Sequence, residues 1–387
     1  MRTLRLGALF VAVTALGQAG EIGPSQKVTI ERVPDGGIQP QVAVDAKGVV
    51  HMLYYKGDPG HGDIFYVRSR DGGVTFSAPV RVNSEAGSAI AAGNIRGARL
   101  AIGKNGRVHV AWNGSHASGP AGPPGHEPMF YTRMNDAGTG FEPRRNLIQV
   151  AYGVDGGGAV AADNEGHVYV LWHAPAPGTE GEGNRRVWIT RSTDGGKTFD
   201  REKTAWNQPT GACGCCGLDT FADSKGTLYV LYRSAYETVN RDMYLLVSRD
   251  RGETFTGANV SKWNIGACVM SSESFAESAA GVLAAWETEK QVYYGKIDPA
   301  TGKMSTPAAA PGTGENRKYP AVAGNARGET IFAWTEGMGW NKGGRLRWQV
   351  YDQSGKPSPE NGQAVGVPVW SLVAAFARPD GGFVVVY

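Results

Sequence analysis

The chain has 387 residues, including 56 glycines and 21 prolines, and 10% of its residues are aromatic. This composition favours many short strands joined by tight turns over long helices. The 39 basic and 36 acidic residues leave a formal net charge of +3 with no basic block, so nucleic acid is not an expected partner.

Residues 1–20 have the features of a signal peptide: two arginines, an apolar run of about eleven residues and small residues near position 19. The run is shorter than the roughly 20 apolar residues that span a bilayer, although a tethered N-terminus remains the alternative. We therefore predict a secreted or periplasmic protein with a single domain over residues 21–387. We expect a monomer with no membrane span after signal removal, in a compartment that permits disulfides.

One unit recurs seven times along the chain: an apolar stretch, a polar turn with glycine, and a second apolar stretch that ends in an aromatic residue. The closing aromatics lie about 50 to 60 residues apart, which is room for four strands per unit. Period-two alternation and the glycine turn predict a β-hairpin in each unit. The closing residues are Tyr54, Trp112, Trp172, Tyr232, Trp286, Trp334 and Tyr387.

These hairpins predict an all-β fold, a β-propeller of four-stranded blades, with seven blades favoured and six as the alternative. The last hairpin ends at Tyr387 and leaves no chain for outer strands. Residues 27–33 (KVTIERV) could supply one of them and close the ring by joining the two ends.

A second repeated motif, S-x-D-x-G-x-T-F, follows the third predicted strand of several units. It occurs at 69–76, 192–199 and 248–255, and a decayed copy covers 135–141. An aspartate in a turn accepts hydrogen bonds from the backbone N–H groups that follow it, and the glycine permits positive φ. The motif is therefore structural, and its phenylalanine is predicted to plug between sheets.

These turns resemble the Asp boxes, or BNR repeats, of the sialidase superfamily, and the resemblance extends over the mature chain as a repeating plan. It implies a propeller, for which six blades are usual in sialidases. Asp boxes also occur in propellers that are not sialidases, so the resemblance implies the fold more strongly than the chemistry.

Strand order predicts two unlike faces. The hairpin turns and the Asp-box turns fall on one face, here called the bottom. The longer links between strands two and three, and between blades, fall on the opposite face, the top. Because loops on a rigid scaffold commonly carry function, the top face is the predicted site.

Four cysteines occur in two top links, at 211–217 (GACGCCG) and 266–270 (GACVM). In an exported protein they predict disulfides, such as a bridge from Cys213 or Cys216 to Cys268 that pins neighbouring loops. The alternative is a soft metal site for copper or zinc, because thiolate and thioether ligands select these ions. The predicted metal ligands are Cys213, Cys215, Cys216, Cys268 and Met270.

The sialidase resemblance implies an arginine cluster that clamps a carboxylate, a Tyr–Glu nucleophile pair and an Asp acid/base. The family's first arginine lies in an F/Y-R-I-P motif, but here Gln39 precedes Pro40. Arg96 and Arg99 are possible substitutes. The predicted catalytic residues, all on the top rim, are Arg233, Glu287, Arg317 and Tyr319.

Three functional hypotheses remain open. The first is an exported sialidase-like propeller that binds a carbohydrate, another small ligand or a soft metal on its top face, near the cysteine loops. The second is a glycoside hydrolase of the exo-α-sialidase type with an altered arginine set. The third is a scaffold propeller that binds another protein.

Overall fold

The computed structural model describes residues 27–116, 118, 126–279 and 281–387. Apart from three short 3-10 turns (Pro34–Gly36, Lys104–Gly106 and Glu182–Asn184), the regular structure described consists of strands. In chain order they are β1 (Val28–Glu31), β2 (Ile38–Val44), β3 (Val50–Asp58), β4 (His61–Ser69), β5 (Val80–Arg81), β6 (Arg99–Ile102), β7 (Val108–Asn113), β8 (Met129–Arg133), β9 (Arg145–Asn146), β10 (Ala159–Ala162), β11 (Val168–Pro175), β12 (Arg185–Ser192), β13 (Lys203–Thr204), β14 (Leu218–Ala222), β15 (Leu228–Arg233), β16 (Met243–Ser248), β17 (Thr256–Ser261), β18 (Ser274–Ser278), β19 (Gly281–Thr288), β20 (Gln291–Ile297), β21 (Ala308–Ala309), β22 (Lys318–Gly324), β23 (Thr330–Glu336), β24 (Gly344–Tyr351), β25 (Pro357–Val367), β26 (Ala374–Ala377) and β27 (Phe383–Val386).

The strands form seven sheets, which are the blades of a propeller. Six sheets have four strands each, paired antiparallel in sequence order from β2–β5 through to β22–β25. The seventh sheet has three strands, in the order β26, β27, β1. The favoured prediction of seven blades is therefore confirmed, and the six-bladed alternative is not.

The seventh blade joins the two ends of the chain, as predicted. Its inner strands β26 and β27 form the last hairpin, and β1 pairs with β27 in parallel, with Val28 opposite Phe383 and Glu31 opposite Val386. Backbone hydrogen bonds extend this seam at both ends, from Phe383 N to Lys27 O and from Val33 N to Tyr387 O. The ring is thus closed by hydrogen bonds between distant segments.

The core lies between neighbouring blades, because each blade presents a face of alternating apolar side chains to the next. The closing aromatics of the seven units are all buried, and Trp172 is fully enclosed, with its indole N–H donating to Ala151 O at 3.0 Å. A large ring at this position fills the widening gap between two twisted sheets.

The S-x-D-x-G-x-T-F turns link the third and fourth strands of their blades and share one hydrogen-bond pattern. In the copy at 69–76, Ser69 Oγ donates to Asp71 Oδ1 at 2.7 Å, and Thr75 N donates to the same carboxylate at 2.9 Å. The copies at 192–199 and 248–255 repeat both contacts. The motif phenylalanine Phe199 packs edge-on against Tyr131 of the preceding blade, as the plug prediction requires.

The predicted signal peptide lies outside the described residues. In the described part of the chain, no helix has the length and apolarity that a membrane crossing requires.

Ring closure can be tested with Val28→Asp. Val28 is 2% exposed at the seam, so the substitution places a carboxylate among apolar side chains. We expect a loss of about 3 kcal/mol or more in the free energy of unfolding, measured by urea denaturation. Val74→Asp is the matched control, because Val74 is 73% exposed and should show little change. Equal stability of the two variants would show that the seam contributes little to closure.

Candidate functional site at the channel mouth

The innermost strand of each blade lines a central channel with a cavity of about 610 Å³. The S-x-D-x-G-x-T-F turns follow third strands, so every first strand begins at the opposite, top end of the channel. The side chains at the beginning of these strands therefore converge on the top opening. We call this opening the channel mouth, and define it by Gln41, Arg99, Asp219, Ser272 and Glu273.

The mouth holds one arginine and two carboxyl groups at close quarters. Arg99 is 7% exposed and donates from Nη1 to Gln41 Oε1 at 3.3 Å. In the described chain no carboxylate lies within ion-pair distance of Arg99. Glu273 is 2% exposed, and neither of its oxygens has a hydrogen-bond partner among the described residues. A β-carbon added at Gly217 would lie 3.5 Å from Glu273 Oε2 and 3.7 Å from Arg99 Nη2, so the missing side chain leaves space between these two groups.

The two carboxyl groups have different proton affinities. Burial raises the pKa of Asp219 to about 6, against the opposing effect of the Arg99 charge. Burial raises the pKa of Glu273 well above its usual value, although Arg233 and Arg99 both oppose this. Asp219 is partly exposed to the channel, whereas Glu273 lines the same cavity but is 2% exposed. Burial thus raises the pKa of both carboxyl groups at the mouth, and two carboxyl groups in unlike environments are typical of acid–base pairs.

Two of the predicted catalytic residues, Arg233 and Glu287, lie together behind the mouth. The Arg233 guanidinium is buried and donates to Ser271 Oγ at 2.9 Å, to Arg241 O at 2.6 Å and to Glu287 O. Glu287 is also buried, and its Oε2 accepts from Lys318 Nζ at 3.2 Å while its Oε1 has no partner among the described residues. Burial raises the pKa of Glu287, against the charges of Lys318 and Arg233. These groups hold the Ser271–Glu273 segment from behind.

The other two predicted catalytic residues lie in different surroundings. Arg317 is buried and donates to Glu336 Oε1 at 3.1 Å and to two backbone carbonyls, so it anchors the link between two blades. Tyr319 is 5% exposed and packs in an apolar cluster with Ile95 and Met338. The structure therefore brings Arg233 and Glu287 together and places Arg317 apart from them; the catalytic role of all four stays a prediction.

Strained backbone surrounds the mouth. Gln39 and Tyr319 both precede a proline at the start of an inner strand, and both have positive φ, of 55° and 50°. Each lies in a bulge where the pairing register shifts. Trp370 and Met270, which lie in links close to the mouth, also have positive φ. Such conformations cost about 1–3 kcal/mol each and persist where surrounding contacts enforce them. At Gln39 those contacts are hydrogen bonds from its side chain to Ala91 O and Trp370 O.

The four cysteines form two disulfides, Cys213–Cys216 and Cys215–Cys268. The second joins the two top links, as the disulfide prediction requires, but through Cys215 instead of Cys213 or Cys216. The pairing prediction was therefore wrong in detail. Cys213 and Cys216 are bonded to each other, which leaves Cys215 as the cysteine of its loop that pairs with Cys268.

The sulfur cluster is compact enough to hold a metal if the thiols were free. The Sγ atoms of Cys213, Cys215 and Cys216 lie within 4.8 Å of one another. The methyl group of the predicted ligand Met270 would lie 3.5 Å from a β-carbon added at Gly93, and its role as a metal ligand stays a prediction. His173 lies behind the loop, and its Nε2 is 2.8 Å from Cys216 O. Burial lowers the pKa of His173 to about 4, so its ring is neutral near neutral pH and Nε2 is the donor of this hydrogen bond.

Several solved structures resemble this fold, among them an arabinanase and a sialidase. No family model and no curated protein matches the sequence. A protein of unknown function from Dyadobacter fermentans has a TM-score of 0.53 and 13% identity, covering 87% of this chain and 96% of its own. Penicillium chrysogenum α-L-arabinanase, complexed with arabinobiose, has a TM-score of 0.52 and 14% identity, covering 84% and 95%. A Hadza microbial sialidase has a TM-score of 0.50 and 14% identity, covering 82% and 69%. At these identities the likeness concerns the fold.

Asp219 and Glu273 are not among the site residues predicted from the sequence. Glu273 lies in an interblade link just before β18, and Asp219 is the second residue of β14. Neither belongs to a motif. A signal was nevertheless present, since both residues and Arg99 come at the beginning of a predicted first strand, where strand order places side chains at the top of the channel.

The raised pKa of Asp219 predicts a specific pH dependence. The folded protein holds this proton more tightly than the unfolded chain. Protonated Asp219 therefore adds to the free energy of unfolding at low pH, and this stabilisation is lost as the pH rises towards about 6. Asp219→Asn should therefore reduce the fall in unfolding free energy between about pH 4 and 6, measured by urea denaturation at several pH values.

Asp298→Asn is the control, because hydrogen bonds from the backbone and side chain of Thr301 lower the pKa of this exposed aspartate. Ionised Asp298 therefore adds to the free energy of unfolding, and this stabilisation is lost as the pH falls. An unchanged pH profile in Asp219→Asn would show that Asp219 titrates as an ordinary aspartate.

Proposed function

We propose that this protein binds a carbohydrate at the channel mouth and hydrolyses a glycosidic bond there. The observation that carries the proposal is the buried carboxyl of Glu273, with both oxygens unpartnered, beside the channel-facing Asp219. Glycoside hydrolysis is commonly performed by two carboxyl groups in unlike environments, one protonated and one ionised. The arabinanase and sialidase structures that share the fold make a sugar the natural first class of ligand to test.

The proposed mechanism assigns one role to each group. Protonated Glu273 gives its proton to the glycosidic oxygen as the bond to the leaving group breaks. The Asp219 carboxylate acts on the opposite side, as base for a water molecule or as nucleophile at the anomeric carbon. Arg99, whose guanidinium has no ion-pair partner in the described chain, binds a carboxylate or hydroxyl groups of the sugar. Arg233 and Glu287 are positioning residues that hold the segment carrying Glu273.

The first experiment is a screen of fluorogenic sialosides and arabinofuranosides with the full-length protein. For any substrate that is cleaved, Glu273→Gln should lower kcat/KM by about 100-fold or more, because the general acid is lost. The acid limb of the wild-type pH profile should fall near pH 6, where Asp219 becomes protonated. Glu315→Gln makes the same change at an exposed glutamate and should leave kcat/KM unchanged.

Two outcomes would contradict this proposal in different ways. If calorimetry detects sugar binding that Arg99→Ala weakens, but no glycoside is cleaved, the protein is a binding propeller and the hydrolase role is wrong. If no sugar binds and none is cleaved, the carbohydrate proposal itself is wrong.

A second candidate function is binding of a soft metal by the reduced cysteine cluster. It is favoured by the proximity of three Sγ atoms, with Cys268 as a fourth sulfur bonded to Cys215 in the oxidised form. Thiolate ligands at this spacing suit Cu(I) or Zn²⁺. Metal binding requires thiolates, so the oxidised protein should not bind either ion through this cluster.

Titration of reduced protein with Cu(I) against a chromogenic chelator tests this candidate. We expect one tightly bound ion per reduced chain and none in the oxidised chain. The C213S/C216S variant should lose Cu(I) binding, because two of the four sulfurs are removed. Equal copper uptake by reduced wild type and by this variant would place the metal elsewhere.

A further inference from the structure

The two disulfides are in contact with each other. Cys213 Sγ and Cys215 Sγ, which belong to different disulfides, lie 3.6 Å apart. We propose that the two bridges form a thiol–disulfide exchange site, in which the exposed Cys215–Cys268 bridge accepts electrons from an external dithiol and passes them to the buried Cys213–Cys216 bridge. The proposal does not depend on sugar binding, and it concerns the oxidised form of the four cysteines that could hold a metal when reduced.

Exposure decides where an external thiol can attack. Cys268 is exposed and lies beside exposed Gly266 and Ala267, whereas Cys215 is only partly exposed. Cys213 and Cys216 are 0% exposed. Attack by an external thiolate therefore occurs at Cys268 Sγ and releases Cys215 as the leaving thiolate. The buried bridge can be reached only through a protein sulfur.

One arginine and two carboxylates lie close to Gly214, the residue before Cys215. A β-carbon added at the preceding Gly214 would lie 3.2 Å from Nε of Arg185, a partly buried arginine. A neighbouring guanidinium stabilises a thiolate over a thiol. Two carboxylates also approach Gly214, from Asp155 and Glu182, but each forms an ion pair with another arginine, at 2.6 Å in both cases. Arg185 is the cation beside the loop without such a partner in the described chain.

The exchange balances in three steps. A thiolate of the dithiol attacks Cys268 Sγ, forming a mixed disulfide and releasing Cys215. The second thiol of the reagent then displaces Cys268, so the dithiol becomes a disulfide. The Cys215 thiolate attacks Cys213 Sγ, the Cys213–Cys215 bond forms, and Cys216 leaves as a thiolate. The dithiol has lost two electrons, and the protein carries thiols at Cys216 and Cys268.

The dithiol substrate can be a small molecule or a protein with a flexible active-site loop, because the attacked sulfur lies on an exposed link. After the exchange, the two links remain connected by the hydrogen bond from Gly217 N to Ser271 O, at 2.9 Å. The fold around the cluster thus has a second connection that does not depend on sulfur, and the site can cycle without unfolding of the blades.

The test uses the full-length oxidised protein in buffer that contains a chelator. One equivalent of dithiothreitol is added, the reaction is quenched in acid, and thiols are labelled with maleimide and located by tandem mass spectrometry. We expect label at Cys216 and Cys268, with Cys213 and Cys215 bonded to each other. Label at Cys215 and Cys268 would overturn the proposal, because the electrons would have stayed in the exposed bridge. Label at Cys213 and Cys216 would support it, because the buried bridge can be reduced only through a protein sulfur.

A second measurement needs no reductant. Cys268→Ser leaves Cys215 as a free thiol, and exchange should then place label on Cys216 as well as on Cys215. The control is the C213S/C216S variant, which keeps only the Cys215–Cys268 bridge. It has no free thiol, so Cys215 should carry no label. If the Cys268→Ser protein is labelled only on Cys215, with the Cys213–Cys216 bridge intact, the two disulfides do not exchange.

Discussion

The structure depends on a single constraint, that seven separate sheets must close into a ring. Each blade buries its apolar faces only if it has a neighbour on both sides, so an open arc would leave two large apolar faces in water. The chain meets this constraint by pairing β1 with β27, from Val28 opposite Phe383 to Glu31 opposite Val386. Ring closure also fixes the direction of every inner strand, because each blade repeats the same strand order around one axis.

Convergence of the inner strands explains the chemistry of the channel mouth. Side chains from several blades meet where the space between strands is narrow, and this removes water from charged groups. Burial therefore raises the pKa of a carboxyl such as Glu273, while the charges of Arg233 and Arg99 oppose the rise. Unlike proton affinities at Asp219 and Glu273 therefore follow from where their strands begin, without any special local motif. The strained residues Gln39 and Tyr319 show that the surrounding contacts hold this rim in one conformation.

Much of this architecture could be predicted from sequence because it is repeated. Period-two alternation, closing aromatics and three copies of one turn motif give the blades, their number and the two faces, and the short last hairpin predicts the closing role of residues 27–33. Features that occur only once in the chain were harder to predict from the sequence. The pairing of Cys215 with Cys268 depends on which sulfur of a tight loop faces the neighbouring link, and Arg317 proved to be bonded between blades. Glu273 lies in an irregular link, where position depends on tertiary contacts and not on spacing.

The parallel pairing of β1 has a consequence for how the molecule can be attached to anything else. The second strand of each blade runs from the bottom to the top, and β1 runs beside β27 in the same direction. Residue 27 therefore lies on the bottom face, with the S-x-D-x-G-x-T-F turns, whereas Tyr387 lies on the face that carries the mouth and both disulfides. A tether or tag joined at the N-terminal side would orient the mouth away from the surface that holds it, and an extension at the C-terminal side would stand beside the opening.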